Sequence, residues 1–190
     1  MLAPSLGPPP DMSPERLREW AAEHLMYEVE TLVFVVLELG KELGGMLTNA
    51  LLESFVVHAR CLSEFLWHDR REQNPKDAFA SDFCRSGEWE KARGPLPRAA
   101  LEDVRDRQRF GREVMHLTYQ RIDGAGEEKE WPCGEVLMEI ATALEKLAEV
   151  ALIDRLGART QASLSTLRLS LDEGQIEEAL NVRAIRAGGY

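Results

Sequence analysis

Apolar residues recur at every third or fourth position through most of this chain, which is the spacing of a buried face on an α-helix. One such run is Leu25, Leu32, Val36 and Leu39. The same spacing returns in three later segments. The pattern predicts four long amphipathic helices, over residues 14–39, 46–69, 98–122 and 131–156.

Local signals mark the ends of these helices. Ser13, Pro14 and Glu15 combine an N-capping hydroxyl, a proline at the first helical position and an acid in the first turn. Gly40 ends the first predicted helix and Gly157 the fourth. The run Leu32–Val36 is β-branched like a strand, but it lies inside a longer capped pattern, so we predict a buried helix there.

The predicted fold class is all-α, a four-helix bundle with an extra short helix or an irregular C-terminal tail. We expect a disordered proline-containing arm over residues 1–12 and a bundle domain over 13–157. Residues 158–190 form an extension that packs on the bundle or on a partner. Within it, leucines alternate over 164–171 as in a short strand, and 175–182 is predicted as a short helix.

Composition narrows the class of protein. The formal net charge of −10 disfavours non-specific binding to nucleic acid or to an anionic membrane. The longest apolar run, Leu32–Leu37, is far shorter than a membrane span. The three cysteines are well separated and form no CxxC pair, which favours a reducing, cytoplasmic location and no metal site.

One segment reverses the overall charge. Residues 105–121 carry five arginines against two acids, a local charge of +3. Four basic groups there fall within about 60° of one another on a helix. We call them the cationic ridge: Arg105, Arg109, Arg112 and His116. Either the ridge is a solvated face paired with Glu102 and Glu113, or it contacts an anion such as RNA.

The segment from Arg109 to His116 resembles the Arg-x(4–6)-His signature of the HEPN superfamily (higher eukaryotes and prokaryotes nucleotide-binding). The stretches 49–60 and 116–121 are also similar to a family of uncharacterised bacterial helical proteins. Members of the superfamily are helical bundles, often dimeric, and many are metal-independent ribonucleases of toxin–antitoxin and antiphage systems. Phe110 stands where those nucleases usually have a polar residue, which favours a binding ridge over an active site.

The resemblance implies roles for individual residues. His116 would act as the general acid or base on RNA, and Arg109 would stabilise the charge on the phosphate. Arg112 and Arg105 would bind anions beside them. Tyr119 and Arg121 would support the site. The resemblance implies no cofactor and no metal, and it implies a homodimer that brings two ridges together. The alternative is a non-enzymatic helical protein that binds a cognate protein or dimerises.

The second predicted helix carries three further polar candidates. His58 lies among leucines on its apolar face, where a hydrogen-bonded core residue is the expected state. Glu53 and Arg60 share another face and would either pair with another helix or line a polar pocket. A metal site in the bundle would have to combine Glu53, His58 and His116 from separate positions and helices, so none is expected.

Overall fold

The computed structural model describes residues 12–41, 43–68, 76–100, 130–171 and 182–183, and most of them are helical. The all-α prediction is therefore confirmed for this part of the chain. The cationic ridge and most of the third predicted helix, residues 101–122, lie outside the described residues.

The N-terminal helix begins and ends where its local signals indicate. Helix α1 (Pro14–Trp20) starts after Ser13, whose hydroxyl oxygen accepts a hydrogen bond from the Arg16 backbone N–H at 3.4 Å. It continues through a π-helical turn (Ala21–Leu25) into α2 (Met26–Leu39), which ends at Gly40. The sequence predicted one continuous helix here and did not predict the π turn.

Helix α3 (Gly45–Trp67) packs against α2 and supplies much of the core. Its buried side includes Leu52, Phe55, Val56 and Ala59. Leu47 follows the helical spacing of the apolar residues in this segment but is 52% exposed. Helix α2 and the helix Cys133–Val150 pack against the buried side of α3, and Leu47 lies outside that side.

A short irregular region follows. A 3-10 turn (Ala80–Phe83) is capped by the buried Asp82 carboxylate, which accepts the Phe79 backbone N–H at 3.0 Å. Helix α4 (Glu88–Arg93) then returns to the end of α3. There the indole N–H of Trp89 donates to the Leu66 carbonyl at 2.8 Å. This bond satisfies a carbonyl that the last turn of α3 leaves without an intrahelical partner.

The fourth predicted helix is two helices. Helix α5 (Cys133–Val150) stops at Ala151, and α6 (Ile153–Leu156) follows it. The break lets the Leu152 backbone N–H donate to the Phe83 carbonyl at 2.8 Å. Arg155 binds the neighbouring carbonyl oxygens of Asp82 and Cys84 at 2.8 and 3.2 Å. Gly157 ends α6 at φ +83°, as its position predicted.

The C-terminal extension is helical where the leucine alternation suggested a strand. Helices α7 (Ala158–Ser165) and α8 (Leu167–Ser170) pack on α5. The side-chain amide of Gln161 donates to the Ala148 carbonyl. Leu164 is buried because the period of its segment is helical, and this corrects the strand interpretation.

Two two-residue strands pair elsewhere. β1 (Glu130–Trp131) runs antiparallel to β2 (Val182–Arg183), with Trp131 opposite Val182. Val182 was predicted as the end of a short helix and lies in β2 instead; the rest of that predicted helix is outside the described residues. No helix in the described ranges is long and apolar enough to cross a membrane.

Candidate functional site on the α2–α3 hairpin

Only three of the nine predicted site residues fall in the described part of the chain. The others, outside it, are Arg105, Arg109, Arg112, His116, Tyr119 and Arg121. Glu53, His58 and Arg60 all belong to α3. The structure places the first of these in solvent and the other two partly buried.

His58 is held by a carboxylate from the neighbouring helix. Its Nδ1 lies 2.7 Å from Oε2 of Glu28, and the two side chains are 13% and 28% exposed. A carboxylate accepts, so the hydrogen bond places the proton on Nδ1 of the imidazole. The ring of Tyr27 meets the imidazole edge-on, with centroids 5.8 Å apart. The expectation of a hydrogen-bonded His58 is confirmed, and the pair joins α2 to α3.

Arg60 is paired within its own helix. Its Nε lies 3.0 Å from Oε1 of Glu64, one turn further on. Glu53 is exposed, and no ion pair to it occurs among the described residues. Glu53 and His58 are five positions apart, and on an α-helix that separation directs two side chains to different sides. The structure therefore does not bring Glu53 and His58 together.

Cys61 lies close to this polar group but is not activated by it. Partial burial raises the pKa of the Cys61 thiol, and the carboxylates of Glu28 and Glu64 raise it further. The thiolate is the nucleophilic form of cysteine, so these neighbours oppose nucleophilic chemistry here. What the hairpin offers is a fixed polar pair, not a catalytic thiol.

The α2–α3 hairpin also exposes large apolar side chains. Their exposures are large for such residues: Tyr27 59%, Phe34 58%, Met46 78%, Leu47 52% and Val57 40%. Several exposed large apolar residues on one helical hairpin are more typical of a binding surface than a single such residue is.

A concave region lies between α4 and the end of α5. It is an open cavity of about 700 Å³ over an apolar floor that includes Ala92 and Leu152. Its charged rim is largely self-neutralised, since Arg85 pairs with Glu88 at 3.6 Å and Lys146 with Glu149. The cavity therefore offers little net charge to a ligand.

No group of three or more histidine, cysteine, aspartate or glutamate side chains in the described ranges is arranged to hold a metal ion. Comparisons with protein-family models, with curated proteins and with solved structures find no match to this chain.

Glu28 and Tyr27 were missed as partners of His58. The sequence indicates that a histidine on an apolar face needs a hydrogen-bond partner, but Glu28 is 30 residues away. The register between α2 and α3 decides which of the α2 carboxylates reaches the imidazole, and no local pattern encodes that register.

Proposed function

We propose that this chain is a HEPN-like, RNA-binding helical protein of the cytoplasm, whose helices complete a four-helix bundle. The observation that supports RNA binding is the cationic ridge. A chain of net charge −10 keeps four basic groups at positions 105, 109, 112 and 116, with the Arg-x(4–6)-His spacing. Phosphates supply the negative charge that would offset the mutual repulsion of such a row.

Binding, not cleavage, is the form of this function that we favour. Phe110 occupies the position after Arg109 where the resembling nucleases usually have a polar residue. Cys84 and Cys133 do not supply a nucleophile, because both thiols are buried and burial raises their pKa. Cleavage, if it occurs, would require His116 as the general acid or base.

The test is fluorescence anisotropy of a labelled single-stranded RNA of mixed sequence, titrated with protein at several salt concentrations. Arg109→Ala combined with Arg112→Ala should weaken binding at least about tenfold and reduce the slope of log affinity against log salt by about 0.7 per lost phosphate contact. Arg159→Ala, a change of one exposed arginine on α7, is the control and should leave binding unaltered. Failure of the unmodified protein to bind RNA at low salt would contradict the proposal.

A cleavage assay on the same RNA separates the two forms of the function. Intact RNA after incubation with the unmodified protein supports binding alone. Cleavage that His116→Ala abolishes would instead identify the protein as a metal-independent ribonuclease, and the binding-only form would be wrong.

A second candidate function is a non-enzymatic helical interaction protein. The exposed apolar side chains on the α2–α3 hairpin favour it, since they lie outside the ridge and are unrelated to RNA. An Arg109→Ala variant that changes the oligomeric state while RNA binding is absent in both proteins would favour this candidate.

A further inference from the structure

The cavity between α4 and the end of α5 has walls that contacts between distant segments hold in place. The Leu152 backbone N–H donates to the Phe83 carbonyl at 2.8 Å, and this bond fixes the turn that leaves α5. On the other side, the Trp89 indole N–H fixes α4 through the Leu66 carbonyl. Sites for small molecules are usually preformed in this way, and the cavity volume of about 700 Å³ lies within their usual range.

Most of the lining of this cavity is apolar. Ile153, at its edge, is 61% exposed, and Leu152 beside it is half-buried. A ligand that covers these side chains removes apolar surface from water, which favours binding. The lining therefore favours a ligand with an apolar body. The apolar residues that line the cavity are Ala92, Pro95, Val150, Ala151, Leu152 and Ile153.

The charged residues that line the cavity comprise three cations and two anions. Arg85 lies 3.6 Å from Glu88, and Lys146 pairs with Glu149, so these four charges neutralise one another. Lys91 is the third cation, and no carboxylate in the described part of the chain forms an ion pair with it. Lys91 therefore leaves one positive charge beside the apolar lining, in a chain whose net charge is −10.

The ion pairs already present limit the ligand to one negative group. A dianionic head group would gain a second ion pair only by displacing a carboxylate from Arg85 or Lys146. A cationic head group would meet the repulsion of Lys91 and would find both carboxylates already paired. A single anionic group therefore fits the charges around the cavity best.

We propose that the cavity between α4 and the end of α5 binds a small amphiphile with an apolar body and one anionic group, of the class of a medium-chain carboxylate. Lys91 pairs with the anionic group, and the apolar body covers Leu152 and Ile153. This binding site uses no residue of the cationic ridge and needs no RNA, so it goes beyond the function proposed above.

The first experiment compares three probes that share an eight-carbon chain and differ in head group: octanoate, octanol and octyltrimethylammonium. Each is titrated into the full chain below the concentration at which it aggregates, and two-dimensional NMR of the backbone amides measures affinity and location. Octanoate should shift the amides of Ala92 and Leu152 and bind about threefold to fivefold more tightly than octanol, the scale of one exposed ion pair. The cationic probe should bind more weakly than octanol.

Two results of this comparison would overturn the proposal. One is the absence of shifts around the cavity with octanoate. The other is an affinity for octanol or octyltrimethylammonium that equals the affinity for octanoate, since the head group would then play no part.

The second experiment separates the head group from the apolar body by substitution. Lys91→Ala should weaken octanoate about threefold to fivefold and leave octanol unchanged, because only the ion pair is lost. Lys76→Ala is the matched control, since it removes an exposed lysine that does not line the cavity, and it should change neither affinity. Ile153→Ser should weaken octanoate and octanol alike, because it removes apolar surface from the site.

Equal effects of Lys91→Ala and Lys76→Ala on octanoate would contradict the proposal, and so would unchanged octanol binding in Ile153→Ser. The three substituted side chains are exposed, and circular dichroism melts confirm that each variant is folded. Both experiments are made without RNA. Their failure would leave the RNA-binding proposal standing, and absence of RNA binding would leave this one standing.

Discussion

At the scale of single residues, Ser13 and Glu15 define the start of the N-terminal helix. The pKa of the Glu15 carboxyl is lowered because the carboxylate accepts hydrogen bonds from its own backbone N–H and from the Ser13 hydroxyl. A carboxyl with a depressed pKa stabilises the fold when it is ionised. That stabilisation is present above the pKa of the unfolded chain and is lost as the pH falls through the folded value.

Ser13→Ala should therefore raise the pKa of Glu15 toward its ordinary value. Independently of that titration, loss of the N-cap hydrogen bond to the Arg16 N–H should lower the free energy of unfolding by about 1 kcal/mol. The first effect is measured by NMR titration of the carboxyl carbon and the second by denaturant unfolding. Ser163→Ala, an exposed change within α7, is the control. An unchanged Glu15 titration in Ser13→Ala would show that the hydroxyl does not hold the carboxylate.

At the scale of elements, two glycines have a similar positive φ but different steric surroundings. Gly157 and Gly87 both have positive φ, +83° and +78°. A Cβ on Gly157 would lie 2.9 Å from Cγ of Arg18, whereas a Cβ on Gly87 would meet nothing within 4 Å. The link between α6 and α7 therefore packs directly against Arg18 of α1, whereas no side chain packs this closely against Gly87 in the turn before α4.

Gly87→Ala should cost about 1 kcal/mol, the usual penalty for an L-residue in a left-handed conformation. Gly157→Ala should cost more, about 2–4 kcal/mol, because its backbone region is nearly exclusive to glycine and Arg18 must also move. Denaturant unfolding of the two variants measures the difference. Equal losses of stability would mean that neither the backbone region of Gly157 nor its contact with Arg18 adds to the penalty.

At the scale of the whole molecule, the three cysteines differ in how deeply the fold buries them. Burial raises the pKa of Cys84 to about 12 and raises that of Cys133 further still. Both side chains are buried, whereas Cys61 is exposed. The three thiols thus sample the interior and the surface of one fold.

In dilute native protein, a maleimide should alkylate Cys61 and leave Cys84 and Cys133 unmodified, since the buried thiols need unfolding to reach the reagent and to ionise. Mass spectrometry of the labelled chain measures the sites. Addition of denaturant should release the two buried thiols together. Modification of Cys133 at a rate independent of denaturant would contradict its burial in the core.

The sequence predicted those parts of the fold that depend on residues close together in the chain. The Ser13 cap, the end of α2 at Gly40 and the stop at Gly157 each follow from side chains within one helical turn. It also predicted that His58 would be hydrogen-bonded, because burial of an imidazole on an apolar face requires a partner. None of these inferences needs the position of another element.

Only the tertiary structure decided the features that join distant segments. The break after α5 exists because Leu152 bonds to the Phe83 carbonyl, 69 residues earlier, and a continuous helix would have used that N–H internally. The identity of Glu28 as the His58 partner, the exposure of Leu47 and the β1–β2 pair have the same origin. Local periodicity specifies that a helix has an apolar face, but the packing of other elements determines which side of the helix is covered.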